Sequence, residues 1–263
     1  MHVGISQIES ESSKKSIIHS LDGRIKLIIT LCIIIYAVYT TKIPVLWIME
    51  LYLLVLILVS KVSFSYAIKR VLLILPFGGF IALFQPFIVP GVVIYTLPLD
   101  ITITYEGTIF GILLLSRLIV CLTAVVLLSS VTPIQEIVNS GRRMGFPREL
   151  ALILSLTIRY LFMFYDELER IRNAQKTRCF DIWNKKTSYM WRLRQIAYTI
   201  VMLFLRSYEQ GEKVYFSMLS RGYTGESDMY REKKKISFND YLFIVLTLIL
   251  ILAIELIRYF YFI

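Results

Sequence analysis

Residues 108–131 read TIFGILLLSRLIVCLTAVVLLSSV, and this stretch decides the class of fold. Arg117 is its one charged residue. An α-helix needs about 20 mostly apolar residues to cross the hydrocarbon core of a bilayer, which is about 30 Å thick. The stretch is long enough for that crossing, and we therefore predict a transmembrane helix.

Further apolar runs lie on both sides of this stretch. Of the 263 residues, 57% are hydrophobic, and the mean hydropathy of +0.67 is higher than is usual in soluble domains. We predict an all-α polytopic membrane protein with about five transmembrane helices. Besides residues 108–131, these helices cover about residues 25–41, 43–60, 71–89 and 241–257.

The links between these runs predict how neighbouring helices are connected. Only Lys42 and its neighbours separate the first two runs, so we expect those two helices to form a tight antiparallel hairpin. Pro76 and Pro86 interrupt the third run and predict a kink or a break there. Residues 90–105 contain no lysine or arginine, which is typical of a loop on the outer side.

The placement of lysine and arginine predicts the orientation in the membrane. Basic residues precede the first run, separate the second from the third, and recur between the fourth and the fifth. With five spans these three segments face the cytoplasm, together with the N-terminus, and the C-terminus lies outside. This distribution accounts for the net charge of +10 without nucleic-acid binding. Polar residues precede the first run, which therefore predicts a retained span rather than a signal peptide.

Residues 132–239 differ from the membrane segments 1–131 and 240–263, and we treat the three as separate domains. Apolar residues recur every three or four positions over about 147–178 and 192–221, which predicts two long amphipathic helices. A shorter amphipathic helix is predicted over 133–144, with Gly145 as its stop. One interpretation is that these helices lie along the membrane with their basic side chains against anionic lipid.

Both long amphipathic stretches end in an arginine between small residues. The first reads Thr177-Arg178-Cys179 and the second Ser220-Arg221-Gly222. An arginine in the last turn complements the helix dipole, and Gly222 is suited to a left-handed helix end, so each could be an ordinary C-cap. Two matching ends favour a second interpretation, because a guanidinium can hold a carboxylate through two parallel hydrogen bonds. The partner surface is then expected to be acidic.

Two charges fall inside the apolar runs. Glu50 and Arg117 lie at comparable depth when they are counted from the outer ends of their spans, and we hypothesise that they pair. In the alternative, one of them extends its charged group to the membrane surface.

Patterns typical of nucleotide or metal sites are missing from the sequence. The segment Gly141-Arg142-Arg143-Met144-Gly145 lacks the lysine and hydroxyl residue of a phosphate-binding loop. The cysteines have no metal-ligand spacing, and we expect no cofactor. An enzyme acting on phosphorylated lipid, with Asp166, Glu167 and Asp181 in the basic segment, remains a less favoured alternative.

Three segments resemble the transmembrane T component of energy-coupling factor importers, most closely its cobalt-type CbiQ family. They are residues 21–27 (LDGRIKL), 170–181 and, most specifically, 203–223. The family usually has proline where Gly23 stands and glycine where Cys179 stands. The second difference predicts that the first arginine end closes differently from the second, because cysteine disfavours positive φ.

The resemblance implies a non-catalytic scaffold. In this family, two cytoplasmic ATPases hydrolyse ATP, a separate membrane subunit binds the substrate, and the T component joins them. Its long helices are coupling helices whose arginine motifs dock in the ATPases, and Arg178 and Arg221 match those arginines. Cobalt is the implied substrate, with nickel or a vitamin as alternatives.

Overall fold

The computed structural model describes residues 16–97, 101–178, 187–224 and 237–262. The chain divides into two compact units. One comprises Met1–Ser140 with Lys233–Ile263, and the other comprises Gly141–Glu232. The three-domain division made from the sequence stays a prediction.

Helices make up almost all of the first unit, which confirms the prediction of an all-α polytopic membrane protein. In chain order its elements are α1 (Ile17–Ser20), α2 (Gly23–Tyr39), α3 (Ile43–Val59), α4 (Phe64–Ile88), β1 (Val93–Leu97), β2 (Ile101–Thr104), α5 (Tyr105–Val131), α6 (Ile134–Arg143) and α9 (Phe238–Phe262). Helix α6 continues into the second unit, where Gly145 follows it with a φ of 112°, as expected for the stop.

Three helices of the described chain are long and apolar enough to cross a membrane: Phe64–Ile88, Tyr105–Val131 and Phe238–Leu256. Helices α2 and α3 each have 17 residues, which at 1.5 Å per residue gives about 25 Å. That length is at the lower limit for a span. The first two of the five predicted crossings therefore correspond to shorter helices.

The long helix α5 is the centre of this unit. It packs against α2, α3 and α4, and its Val120 and Ala124 are 1% exposed. Leu46 and Leu53 of α3 belong to the same apolar cluster. The predicted α2–α3 hairpin needs correction, because both helices pack more extensively on α5 than on each other. The short link makes α2 and α3 neighbours in the chain, but the surface on which both helices pack is formed by the small buried residues of α5.

Helix α4 continues through both of its prolines, so the predicted break is wrong, while the alternative, a kink, stays a prediction. Pro86 has no amide hydrogen and leaves the carbonyl of Ala82 without its helical partner. Gly111 of α5 faces this carbonyl so closely that a Cβ would lie 2.7 Å from its oxygen. Gly107 approaches the Gln85 carbonyl in the same way, also at 2.7 Å. Close backbone packing of this small-residue type supports the proline-containing helix.

Strands β1 and β2 pair antiparallel in the region where the sequence predicted a loop. The strands VIYTL and ITIT are rich in β-branched residues, which favour extended backbone. The hydroxyl of Thr104 donates to the carbonyl of Val89 at 2.7 Å and lies 3.0 Å from that of Pro86. The strand pair is thereby attached to the end of α4.

The second unit consists mainly of two long helices, α7 (Arg148–Thr177) and α8 (Tyr189–Ser220). Their 30 and 32 residues correspond to about 45–48 Å. In the described chain, Ala151 is the one buried residue of α7, and α8 has none. Two helices with largely uncovered apolar stripes are suited to contact other molecules or a membrane surface.

Candidate functional site

Helices α7 and α8 run in opposite directions and enclose two clefts. The first half of α7 and the second half of α8 line an apolar cleft of about 680 Å³, which Ile153, Phe164, Val214 and Met218 help to form. The second half of α7 and the first half of α8 line a more polar cleft of about 860 Å³. Since each cleft combines opposite halves of the two helices, the helices run antiparallel. They approach each other closely at few positions for helices of this length, as crossing helices do, and the contact between Glu167 and Arg206 lies near the middle of both.

Polar side chains join the two helices where they cross. The carboxylate of Glu167 on α7 forms an ion pair with Arg206 on α8, and Arg170 approaches it to 3.5 Å. The amide of Gln175 donates to the hydroxyl of Thr199 at 2.6 Å. We call Glu167, Arg170, Gln175, Thr199 and Arg206 the crossing cluster. Two of its contacts, Glu167–Arg206 and Gln175–Thr199, join α7 to α8.

The second arginine end has complete C-cap geometry. Gly222 has a φ of 81°, in the left-handed region that favours glycine. Its N–H donates to the carbonyl of Leu219 at 2.9 Å, and the N–H of Tyr223 donates to that of Met218 at 3.1 Å. These two bonds define a Schellman motif. The left-handed Gly222 expected from the sequence is therefore confirmed, and the motif fixes the backbone of Arg221.

The first arginine end closes its last turn without such a glycine. The N–H of Arg178 donates to the carbonyl of Gln175 at 3.0 Å, and its φ is −90°. The hydroxyl of Thr177 donates to the carbonyl of Ala174, three residues back, at 2.8 Å, while that of Ser220 donates to the carbonyl of Phe216, four residues back, at 2.9 Å. Cys179 lies outside the described residues, so its effect on this end stays a prediction.

Both arginine side chains are exposed, and within the described chain neither forms an ion pair. Each lies next to the last carbonyls of a long helix, where a cation is favourable. A carboxylate of a second molecule can therefore reach either guanidinium without first displacing an internal partner. The two ends are chemically suited to an acidic protein surface.

The structure gives Glu50 and Arg117 separate partners, which corrects the hypothesised pair. Arg117 donates to the carbonyl of Thr40 through Nε at 3.1 Å and Nη2 at 2.7 Å. Oε1 of Glu50 accepts from the hydroxyl of Thr123 at 2.9 Å. Thr123 lies about 9 Å along α5 from Arg117. Depth counted along each helix therefore missed the axial offset between the two groups.

A buried polar junction that the sequence did not predict lies between the start of α2, α6 and the start of α9. Asp22 and Asp240 are only 1% and 2% exposed. The N–H of Asp22 donates to Asp240 at 2.9 Å, as does that of Ser237 at 2.7 Å. The N–H of Gly23 donates to Glu136 at 3.1 Å. The family's usual proline at position 23 could not make this last bond. Asp22 before a helix start is a recognisable N-cap signal, but its distant partners leave no local pattern.

Comparisons with known proteins extend the resemblance from three segments to most of the chain. Residues 14–231 match the CbiQ family, described as "Cobalt transport protein". An uncharacterized protein of Methanocaldococcus jannaschii is 29% identical over 90% of this chain and 82% of its own length. Two proteins named energy-coupling factor transporter transmembrane protein EcfT are each 27% identical. The one from Thermosediminibacter oceani matches over 83% of this chain and 84% of its own length, and the one from Lactococcus lactis over 90% and 93%.

Proposed function

Because the chain belongs to the CbiQ family of cobalt transport proteins, we propose that it is the transmembrane coupling component of an energy-coupling factor importer. Its relatives named EcfT support this assignment, as they are transmembrane proteins of such transporters. In this role the chain performs no catalysis. It joins two cytoplasmic ATPase subunits to a separate membrane subunit that binds the substrate.

The docking points are the ends of α7 and α8, with Thr177, Arg178 and Cys179 at one and Ser220, Arg221 and Gly222 at the other. One observation carries this proposal: each of two long amphipathic helices ends in an exposed arginine. A groove of an ATPase that presents carboxylates would bind each guanidinium through paired hydrogen bonds. The apolar stripes of the same helices remain available for the substrate-binding subunit and for lipid.

Cobalt is the proposed substrate, on the basis of the family's description. The names of the EcfT relatives do not specify a substrate, so nickel and vitamins serve as comparison substrates in the uptake test. The chain resides in the cell membrane with its N-terminus and residues 132–239 in the cytoplasm. The basic residues of that segment support this orientation.

The test reverses the charge at both docking points. We expect the Arg178→Glu, Arg221→Glu double variant to lose about tenfold or more in ATPase copurification and in ATP-driven uptake of labelled cobalt. Arg159→Glu is the matched control, because Arg159 is an exposed arginine in the first half of α7, far from Arg178. Unchanged copurification and uptake in the double variant would refute the docking role. Uptake of nickel or a vitamin in place of cobalt would refute the substrate alone.

A further inference from the structure

The crossing cluster has a mechanical consequence for the two arginine ends. At 1.5 Å per residue, Arg178 lies about 16 Å beyond Glu167 on α7, and Arg221 about 22 Å beyond Arg206 on α8. If the crossing angle changes by about 10°, these lengths move the two ends by about 3 Å and 4 Å. Shifts of that size exceed the tolerance of a hydrogen bond, so a docked pair of ends needs a defined angle.

The packing between α7 and α8 is too sparse to define that angle by itself. Clefts lie on both sides of the crossing, and the apolar side chains that face them are not buried. Directional polar contacts must therefore fix the angle between α7 and α8, as close packing fixes it in other helix pairs. Glu167 is suited to make such a contact, because only 19% of its side chain is exposed and solvent therefore screens it less than its partner Arg206, which is 49% exposed.

We propose that the Glu167–Arg206 ion pair is the pivot that sets the angle between the two helices, and that it thereby positions Arg178 and Arg221 for simultaneous docking. Arg170 holds the same carboxylate from the α7 side, at 3.5 Å. Gln175 and Thr199 add a second contact farther along both helices, and two separated contacts resist rotation where one would not. Glu167 and Arg206 are positioning residues that contact neither ATPase. This proposal rests on the docking function above.

The charges around Glu167 differ from those of an ordinary surface ion pair. A lone exposed pair contributes little, because solvent screens it and long side chains lose freedom in forming it. Here one carboxylate is shared by two guanidinium groups on two helices, and its limited exposure reduces the screening. Removing Glu167 would leave Arg170 and Arg206 facing each other as like charges. The removal would therefore push the helices apart as well as release them.

The experiment measures the crossing angle through a distance on one side of the pivot. Spin labels are introduced through non-canonical amino acids at Lys176 and Met190 of the full chain in lipid nanodiscs, and their distance is recorded by pulsed electron resonance. Both positions are exposed and lie on the same side of the crossing, so their separation follows the angle. The variants are Glu167→Gln, Glu167→Arg, and the charge swap Glu167→Arg with Arg206→Glu. Arg159→Glu is again the control.

We expect the single substitutions to shift or broaden the distance distribution by about 2 Å for each 10° of rotation. They should also lower uptake at least fivefold in the assembled importer while each ATPase still copurifies. The charge swap should restore both the distance and the uptake to within twofold of the parent. Unchanged distances in Glu167→Arg, or a swap that restores neither property, would overturn the pivot. The distance is read on the chain alone, so failure of the docking function would not obscure this result.

Discussion

Replacing Gly222 by alanine isolates the contribution of one helix end. Gly222 has a φ of 81°, and no other atom lies within 4 Å of the position that a Cβ would take. The substitution therefore causes no collision, and its effect comes from the backbone alone. A residue with a Cβ pays about 1–2 kcal/mol to adopt the left-handed conformation. A cost of that size shifts the balance between the closed and frayed helix end by about 5- to 30-fold.

Gly211 provides a control on the same helix. It lies inside α8 with no atom within 4 Å of its Cβ position, and it has ordinary helical φ. Alanine is favoured over glycine in a helix interior by about 1 kcal/mol. Gly211→Ala should therefore stabilise α8, whereas Gly222→Ala should destabilise its end.

Amide hydrogen exchange of the full chain in nanodiscs measures both effects. In Gly222→Ala we expect the amides of residues 222 and 223, which form the Schellman bonds, to lose protection by about 5- to 30-fold. Asparagine tolerates left-handed backbone, so Gly222→Asn should lose less. The reasoning is refuted if Gly222→Ala leaves exchange unchanged, or if the two alanine variants change exchange in the same direction.

The remaining predictions concern the first unit and are measured by thermal unfolding in detergent. Gly111→Ala should destabilise the α4–α5 pair by about 1–3 kcal/mol, because its Cβ would lie 2.7 Å from the carbonyl oxygen of Ala82. Gly79→Ala, whose nearest neighbouring atom is 3.8 Å away, causes no collision and should leave the unfolding temperature unchanged or raise it through the helix propensity of alanine. Equal losses in the two variants would contradict the packing explanation. Asp240→Ala should cost about 1–3 kcal/mol by leaving the buried N–H of Asp22 without its acceptor. An unfolding temperature equal to that of the parent would show that the junction contributes nothing.

Local patterns predicted the parts of the site that depend on neighbouring residues. The three- and four-residue spacing of apolar side chains placed α7 and α8 within a few residues of their observed ends. Gly222 was identified as a helix stop because glycine reaches positive φ without steric cost. Ser220 and Thr177 both bond the carbonyls of their own helices, as side chains in a last turn can.

Properties that depend on how helices pack against one another could not be predicted from the sequence. Apolar spans show no strong amphipathic direction, so nothing indicated that Arg117 reaches the carbonyl of Thr40 while Glu50 reaches Thr123. The same limit applies to Asp22 and Asp240, which are far apart in the chain and adjacent in space. The Glu167–Arg206 pair likewise could not be predicted, because it depends on how the two helices contact each other.

The central claim is that both arginine ends contact ATPases, and site-specific photo-cross-linking in cells tests it most directly. A photoreactive amino acid is placed at Lys176 or Thr224, beside Arg178 and Arg221 but not in place of them, with Arg159 as the control position. We expect both end positions to cross-link to a nucleotide-binding subunit, and each cross-link to be lost when the adjacent arginine is changed to glutamate. Cross-links at neither end, or equal yields at position 159, would contradict it.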